Sequence, residues 1–209
     1  ITNSTIRDNV AGQGYGGVAN LNGAGLTITN SRIDGNTANT DAGGIYNTSG
    51  TTTITNSTIS GNTANADAGG IYNANGTMTI TNSTISGNNA KGSGGGIYNE
   101  ATASLFSVTV AGNTADSNAN GSGEGGGIYV APGASASIKN TIIAGNADPS
   151  SEPDCYGRLN SLGNNLIETV SPGCSITGDT ATNVTGQSAN LGPLAYNGGP
   201  TWTRAILAG

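Results

Sequence analysis

ITNSTISGNTANADAGGIYNANGTMT, running from Ile54 to Thr79, has close copies on both sides of it. ITNSRIDGNTANTDAGGIYNTSGTTT precedes it from Ile28 to Thr53, and ITNSTISGNNAKGSGGGIYNEATAS follows from Ile80 to Ser104. A weaker copy opens at Ile1 and degenerate copies begin at Leu105 and Ile138, giving steps of 27, 26, 26, 25 and 33 residues. A unit this short cannot bury its apolar side chains within itself, so it must stack on its neighbours.

Inside each unit apolar and polar residues alternate over short runs: Leu26 to Thr29 or Met78 to Thr81, then Thr58 to Ser60, then Gly70 to Tyr72. That is the period of a strand, and the Asn, Gly, Asp and Ala between the runs are turn residues. Three short strands and three turns in about 26 residues describe one coil of an all-β, single-stranded parallel β-helix, with coils stacked at about 4.8 Å. The inward columns are then Ile1/Ile28/Ile54/Ile80/Leu105/Ile138, Ile6/Ile33/Ile59/Ile85/Val110/Ile143 and Val18/Ile45/Ile71/Ile97/Ile128. Each methylene buried in such a core contributes on the order of 0.8 kcal/mol.

Two asparagine columns fall at the corners. One is Asn3/Asn30/Asn56/Asn82/Asn140, broken by Ser107; the other is Asn9/Asn36/Asn62/Asn88/Asn113/Asn146. Identical amides one coil apart can bond up the stack, and asparagine also tolerates the left-handed turn conformation. Glycine pairs at 43–44, 69–70, 95–96 and 126–127 precede the third strand, where glycine permits positive φ or a close backbone approach. No helix and no Lys-Ser/Thr follows them, so they are not phosphate-cradling loops.

With 36 glycines and 9% charged residues the composition resembles a flexible polymer, but a fixed period has no place in disorder. Six basic against twelve acidic residues leave a net charge of -6 and no basic stripe, which excludes nucleic acid as a partner. Histidine, the commonest general base and metal ligand, is absent. Cys155 and Cys174 form a lone pair outside the clean repeats, which points to an oxidising, extracellular or cell-surface setting. No signal peptide or membrane span is visible. The start inside a repeat, without an initiator Met, reads as a piece of a longer processed polypeptide.

The GGIY motifs at 43–46, 69–72, 95–98 and 126–129 are coupled to Ile-x-x-Asn at Ile33 to Asn36, Ile59 to Asn62 and Ile85 to Asn88. Val110 to Asn113 and Ile143 to Asn146 continue the series. Over roughly 1–146 this resembles the GGAI and FxxN repeats of polymorphic outer-membrane-protein-like surface proteins, with Ile or Val in place of Phe. The resemblance implies a right-handed parallel β-helix on a bacterial cell surface. The stretch from Leu191 to Thr201 resembles the tail of secreted choice-of-anchor Q domain proteins, although Ala205-Ile-Leu-Ala replaces the run expected next.

Residues 1–147 are therefore read as coils, and 148–209 as a degenerate last coil with an irregular C-terminal cap that covers the final strand edges. A Cys155–Cys174 disulfide would close a loop of about 20 residues and stabilise by roughly 3 kcal/mol in the chain-entropy model.

Three outward columns are candidates for function. Tyr46, Tyr72, Tyr98 and Tyr129 form a ladder whose ring faces suit a glycan, although stacked tyrosines also stabilise one another with no ligand. Thr27, Thr53 and Thr79 with Thr29, Thr55 and Thr81 make a Thr-x-Thr array of the kind β-solenoid ice-binding proteins use, interrupted by Phe106 and Lys139. Asp41, Asp67 and Glu124 sit before their Gly-Gly pairs as solvated turns, or as weak Ca²⁺ ligands at Asp41 and Asp67.

A β-helix lyase or hydrolase needs clustered carboxylates and a base, whereas Arg7, Arg32, Lys91, Lys139, Arg158 and Arg204 are scattered over different columns. The expectation is a non-enzymatic secreted or surface-exposed stalk for adhesion, matrix or envelope scaffolding, with no cofactor. Its partners are glycans, other cell-surface proteins or copies of itself. A carbohydrate-active enzyme with its site in the longer inserts near 116–124 and 148–154, and an ice-binding protein, are the alternatives.

Overall fold

The computed structural model describes residues 1–149 and 151–208, so Ser150 and Gly209 of the expected C-terminal region lie outside the described residues. Every regular element among them is a β-strand, and no helix among them is long and apolar enough to cross a membrane. The chain winds as a parallel β-solenoid. One complete coil consists of Gly25–Thr29, Arg32–Asp34, Thr37–Ala38 and Ile45–Asn47, which contribute to the first, second, third and fourth face in turn. The three runs read from the sequence are all strands; Thr37–Ala38 and its counterparts Val10–Ala11, Thr63–Ala64 and Asn89–Ala90 add a fourth of two residues. Two residues are too few for a hydrophobic alternation to show.

Pairing follows the repeat. Ile28 lies opposite Ile54, which lies opposite Ile80, Leu105 and Ile138 in succession, each pair in parallel register. The columns from Ile33 to Ile143 and from Ile45 to Ile128 align likewise. All these side chains are fully buried in one continuous core. β-branched residues suit a pleated surface packed on one side, which is why isoleucine dominates it.

The corners are made by left-handed residues. Asn30, Asn56 and Asn82, with φ of 48°, 49° and 48°, turn the chain from the first face to the second. The glycine pairs do not use positive φ; the residue before each does, Ala42 and Ala68 in two coils and Gly94 and Gly125 in the next two. What the pairs need is space. A Cβ on Gly44 would stand 2.5 Å from the Gly70 carbonyl oxygen and 3.1 Å from Asn62 Nδ2.

The stack continues past the clean repeats. Cys155–Leu162 bends from the fourth face into the first, with Cys155 opposite Ile128 and Leu159 opposite Ala136. Cys174–Asp179 pairs with it, and Leu166–Ile167 and Val184–Thr185 extend the second face to eight strands. The disulfide between Cys155 and Cys174 is formed, and both residues belong to the core. A half-cystine thus takes the place that isoleucine holds in the coils before it.

Beyond this the tail does not lie across the end of the stack. Leu191–Ala195 and Thr203–Ile206 form an antiparallel hairpin along the side of the second face. Trp202 accepts a bond from Thr58 Oγ1 at 2.7 Å and packs its ring 4.0 Å from the Arg32 guanidinium carbon. Thr201 Oγ1 donates to the Asn56 carbonyl, and Arg204 Nε donates to Ser86 Oγ at 2.9 Å. Ser60 and Ser86 point outward from this face yet are 2% and 1% exposed, because the hairpin covers them. Small outward residues, with Ala111 and Ala144 in the next coils, make room for this strap.

Candidate functional site

The fourth face carries the aromatic residues. Tyr46, Tyr72, Tyr98, Tyr129 and Tyr156 occupy successive positions of one column. The first coil has Ala19 at that place, and Tyr15 from the preceding turn lays its ring on Tyr46 instead, at 3.5 Å and 8°. The remaining centroid separations are 5.1, 4.8, 4.6 and 5.1 Å, with interplanar angles from 3° to 66°. Six rings therefore form an unbroken ladder. Tyr156 was legible as Cys-Tyr in place of Ile-Tyr; nothing in the spacing marked Tyr15.

This packing changes what the ladder offers. The stacked pairs Tyr15–Tyr46, Tyr98–Tyr129 and Tyr129–Tyr156 cover ring faces that would otherwise stack on a sugar, while Tyr72 is tilted against Tyr46 and edge-on to Tyr98. Edges and hydroxyls face outward. Burial pushes the phenols of Tyr46, Tyr72, Tyr98 and Tyr129 well above their ordinary value. Nearby carboxylates add to it, and Tyr72 donates its hydroxyl hydrogen bond to Glu100 Oε2 at 2.9 Å.

Carboxylates run beside the rings. Asp41 Oδ1 accepts the Asp67 backbone N–H at 3.0 Å, and Asp67 Oδ1 accepts that of Ser93 at 2.6 Å. Ser93 Oγ then accepts the Glu124 N–H at 3.2 Å. The acidic column is thus a capping ladder in which each side chain satisfies the amide one coil on. Burial holds the Asp67 carboxyl above the usual carboxylate range, with Asp41 and Glu100 adding to it. Glu124 is raised chiefly by burial, then by Asp148 and Glu152. Among the described residues, no three His, Cys, Asp or Glu side chains are grouped to hold a metal ion.

The two asparagine columns separate by role. From Asn36 to Asn146 this column is a buried amide ladder, which the exposed Asn9 joins at its start: Nδ2 of Asn36, Asn62, Asn88 and Asn113 each donates to the next Oδ1 at 2.9 Å. Each Oδ1 also accepts the backbone N–H one coil before it, and the series ends on Asp154 Oδ1. The Asn30, Asn56, Asn82 column holds the left-handed corner, with one long amide contact of 3.3 Å between Asn56 and Asn30. A third ladder lies behind the tyrosines. Asn20, Asn47, Asn73 and Asn99 are bonded at 2.8 Å each and give way to Val130. The third letter of each Ile-Tyr-Asn was its sequence signal.

Thr27, Thr53 and Thr79, and Thr29, Thr55 and Thr81, align in register on the first face. Thr51 and Thr77 add a third column, and Phe106 and Lys139 end the Thr29 column. Arg7 and Arg32 pair with Asp8 and Asp34 at 2.8 and 2.9 Å. Glu168 and Arg204 line one cleft of about 420 Å³ beside the strap without forming an ion pair.

Residues 82–100 match the Chlamydia polymorphic membrane protein repeat family. The matched stretch lies within one unit, from the left-handed Asn82 through Asn88 and the glycine pair to Tyr98 and Glu100. No curated protein and no solved structure matches the chain.

Proposed function

We propose that this chain is a non-enzymatic stalk of a bacterial cell-surface protein, presenting a long lateral surface to glycans or neighbouring proteins. The observation that carries the reading is the use of the repeat: in coil after coil, the Asn, Asp and Ser side chains bond to the next coil. Residues committed to stacking are not free for chemistry, and the outward set changes little along the axis. The match to a surface-protein repeat supports the same reading. To a carbohydrate-active alternative, the cleft of Glu168 and Arg204 offers one carboxylate where glycoside hydrolysis needs two. Protease treatment of intact cells that make the native protein, followed by detection with an antibody to this region, tests the proposal. Release of the fragment from the cell surface is expected; protection in intact cells alone overturns it.

A further inference from the structure

The tip of the strap, residues 196–202, joins Leu191–Ala195 to Thr203–Ile206 and faces the corner of the first two coils across a cleft of about 520 Å³. That volume lies in the range of small-molecule sites, roughly 300–1,000 Å³. Tyr196 and Trp202 line the cleft from the tip, and Asn3, Thr5, Asn30 and Arg32 line it from the stack. The two rings, one of them the sole tryptophan of the chain, are 67% and 38% exposed. Trp202 is nonetheless held in place. Its carbonyl accepts from Thr58, the preceding Thr201 donates to the Asn56 carbonyl, and the Arg32 guanidinium lies 4.0 Å from its ring centre. A ring already fixed loses little freedom when a ligand covers it. Across the cleft the polar groups are open. Among the described residues, the side chains of Asn3 and Thr5 make no hydrogen bond, and Asn30 uses only its Oδ1, toward Asn56 at 3.3 Å.

We propose that this cleft binds an uncharged saccharide, packed on Tyr196 and Trp202 and hydrogen-bonded to Asn3, Asn30 and Thr5. The inference rests on the stalk reading and names both the place and the kind of glycan. Three features select the ligand. The C–H face of a pyranose packs on an aromatic ring, and the polar ends of Tyr and Trp suit a wet site. A side-chain amide both donates and accepts, as each sugar hydroxyl does. Arg32 alone is charged among the described residues that line the cleft, and its Nη2 already pairs with Asp34 at 2.9 Å, so neither a uronate nor an amino sugar meets a spare charge. A proline-rich peptide also packs on exposed rings, but its prolines bring carbonyls without N–H donors and leave the amide oxygen of Asn3 unmatched.

Trp202 makes the test site-specific, because tryptophan emission from this chain reports on that residue alone. The full chain is titrated with maltohexaose, cellohexaose and the N-acetylglucosamine hexamer, and with hexagalacturonate and a proline-rich peptide for comparison. At least one neutral hexamer should shift the emission saturably, with an affinity that salt leaves unchanged. Tyr196→Ala should lose about tenfold in affinity at an unchanged melting temperature. Asn3→Gly, which keeps the left-handed corner at φ of 49° but removes the amide, should do the same. No shift with any neutral hexamer, tighter binding of hexagalacturonate or of the peptide, or full affinity in both variants overturns the proposal. Release from the cell surface without binding sinks this inference and leaves the stalk; binding by a protein that stays protected in intact cells does the reverse.

Discussion

The hydroxyl of Tyr72 donates to the exposed Glu100 across one coil of the stack, and burial of the phenol together with that carboxylate makes further negative charge unwelcome there. Ionising Tyr72 would break that bond and set a phenolate against a carboxylate. Tyr46, Tyr98 and Tyr129 share the upward shift from 10.0. The folded state therefore holds these protons more tightly than the unfolded chain. Their contribution to stability is complete below the unfolded value and is lost as pH rises from about 10 through the folded values. Thermal melts across the alkaline range should fall steeply there, with tyrosinate absorbance appearing together with unfolding. Ionisation of these four phenols in the folded protein near pH 10 would contradict it.

Acid should act in the opposite sense from the usual one. Asp67, Glu124 and Asp154 are each raised, with burial the largest cause in all three. Carboxyls whose folded values are raised are most favourable to the fold below their unfolded values near 4. That stability is lost as pH climbs through the folded values. Mild acidification from neutral pH should raise the melting temperature. In Asp67→Asn the neutral-pH melting temperature should rise and its dependence on pH should flatten. A melting temperature that falls on going from pH 7 to about 5 would refute this.

Asn62 and Asn56 are six residues apart and predict very different losses. Asn62 is fully buried; its Nδ2 donates to Ile33 O and Asn88 Oδ1, and its Oδ1 accepts from the N–H and the Nδ2 of Asn36. Asn62→Ala leaves those partners unmatched, at about 1–3 kcal/mol for each buried group, so a loss of about 3 kcal/mol or more is expected. Asn56 chiefly supplies φ of 49° at a corner. Asn56→Gly keeps that conformation and should cost only a few tenths of a kcal/mol, whereas Asn56→Ala should cost about 1 kcal/mol. Chemical denaturation of the three variants gives the comparison directly.

Those two residues also show what a sequence exposes. The period placed the inward columns and both asparagine columns, because each is a relation between equivalent residues one step apart; the disulfide was legible only as a lone pair of cysteines. Which asparagine is an amide ladder and which a corner depends on a backbone angle, and both look alike in the lettering. Tyr15 entered the tyrosine ladder from a position out of register, so no period could find it. The strap was illegible for a related reason: Trp202 meets Arg32 through a contact that repeats nowhere. Its one trace is the small size of Ser60, Ser86, Ala111 and Ala144, which also fits an ordinary exposed strand.

The strap itself can be tested through Arg204. Its guanidinium is partly buried, which lowers its proton affinity, and donates to Ser86 Oγ and to the Gly192 carbonyl. It thereby joins both arms of the hairpin to the stack at its middle. Arg204→Ala removes both bonds and opens the space over Gly112, while the core columns and the asparagine ladder are untouched. The hairpin should then loosen alone. Amide exchange in Leu191–Ala195 and Thr203–Ile206 should quicken by about tenfold or more, as expected for losing one or two hydrogen bonds to a charged group. Exchange in Thr58–Ser60 and Thr84–Ser86, held by the parallel ladder, should stay slow. Trp202→Ala should loosen the same hairpin from its far end. If the second face loses protection together with the hairpin, the strap is part of the cooperative core and its separate attachment is disproved.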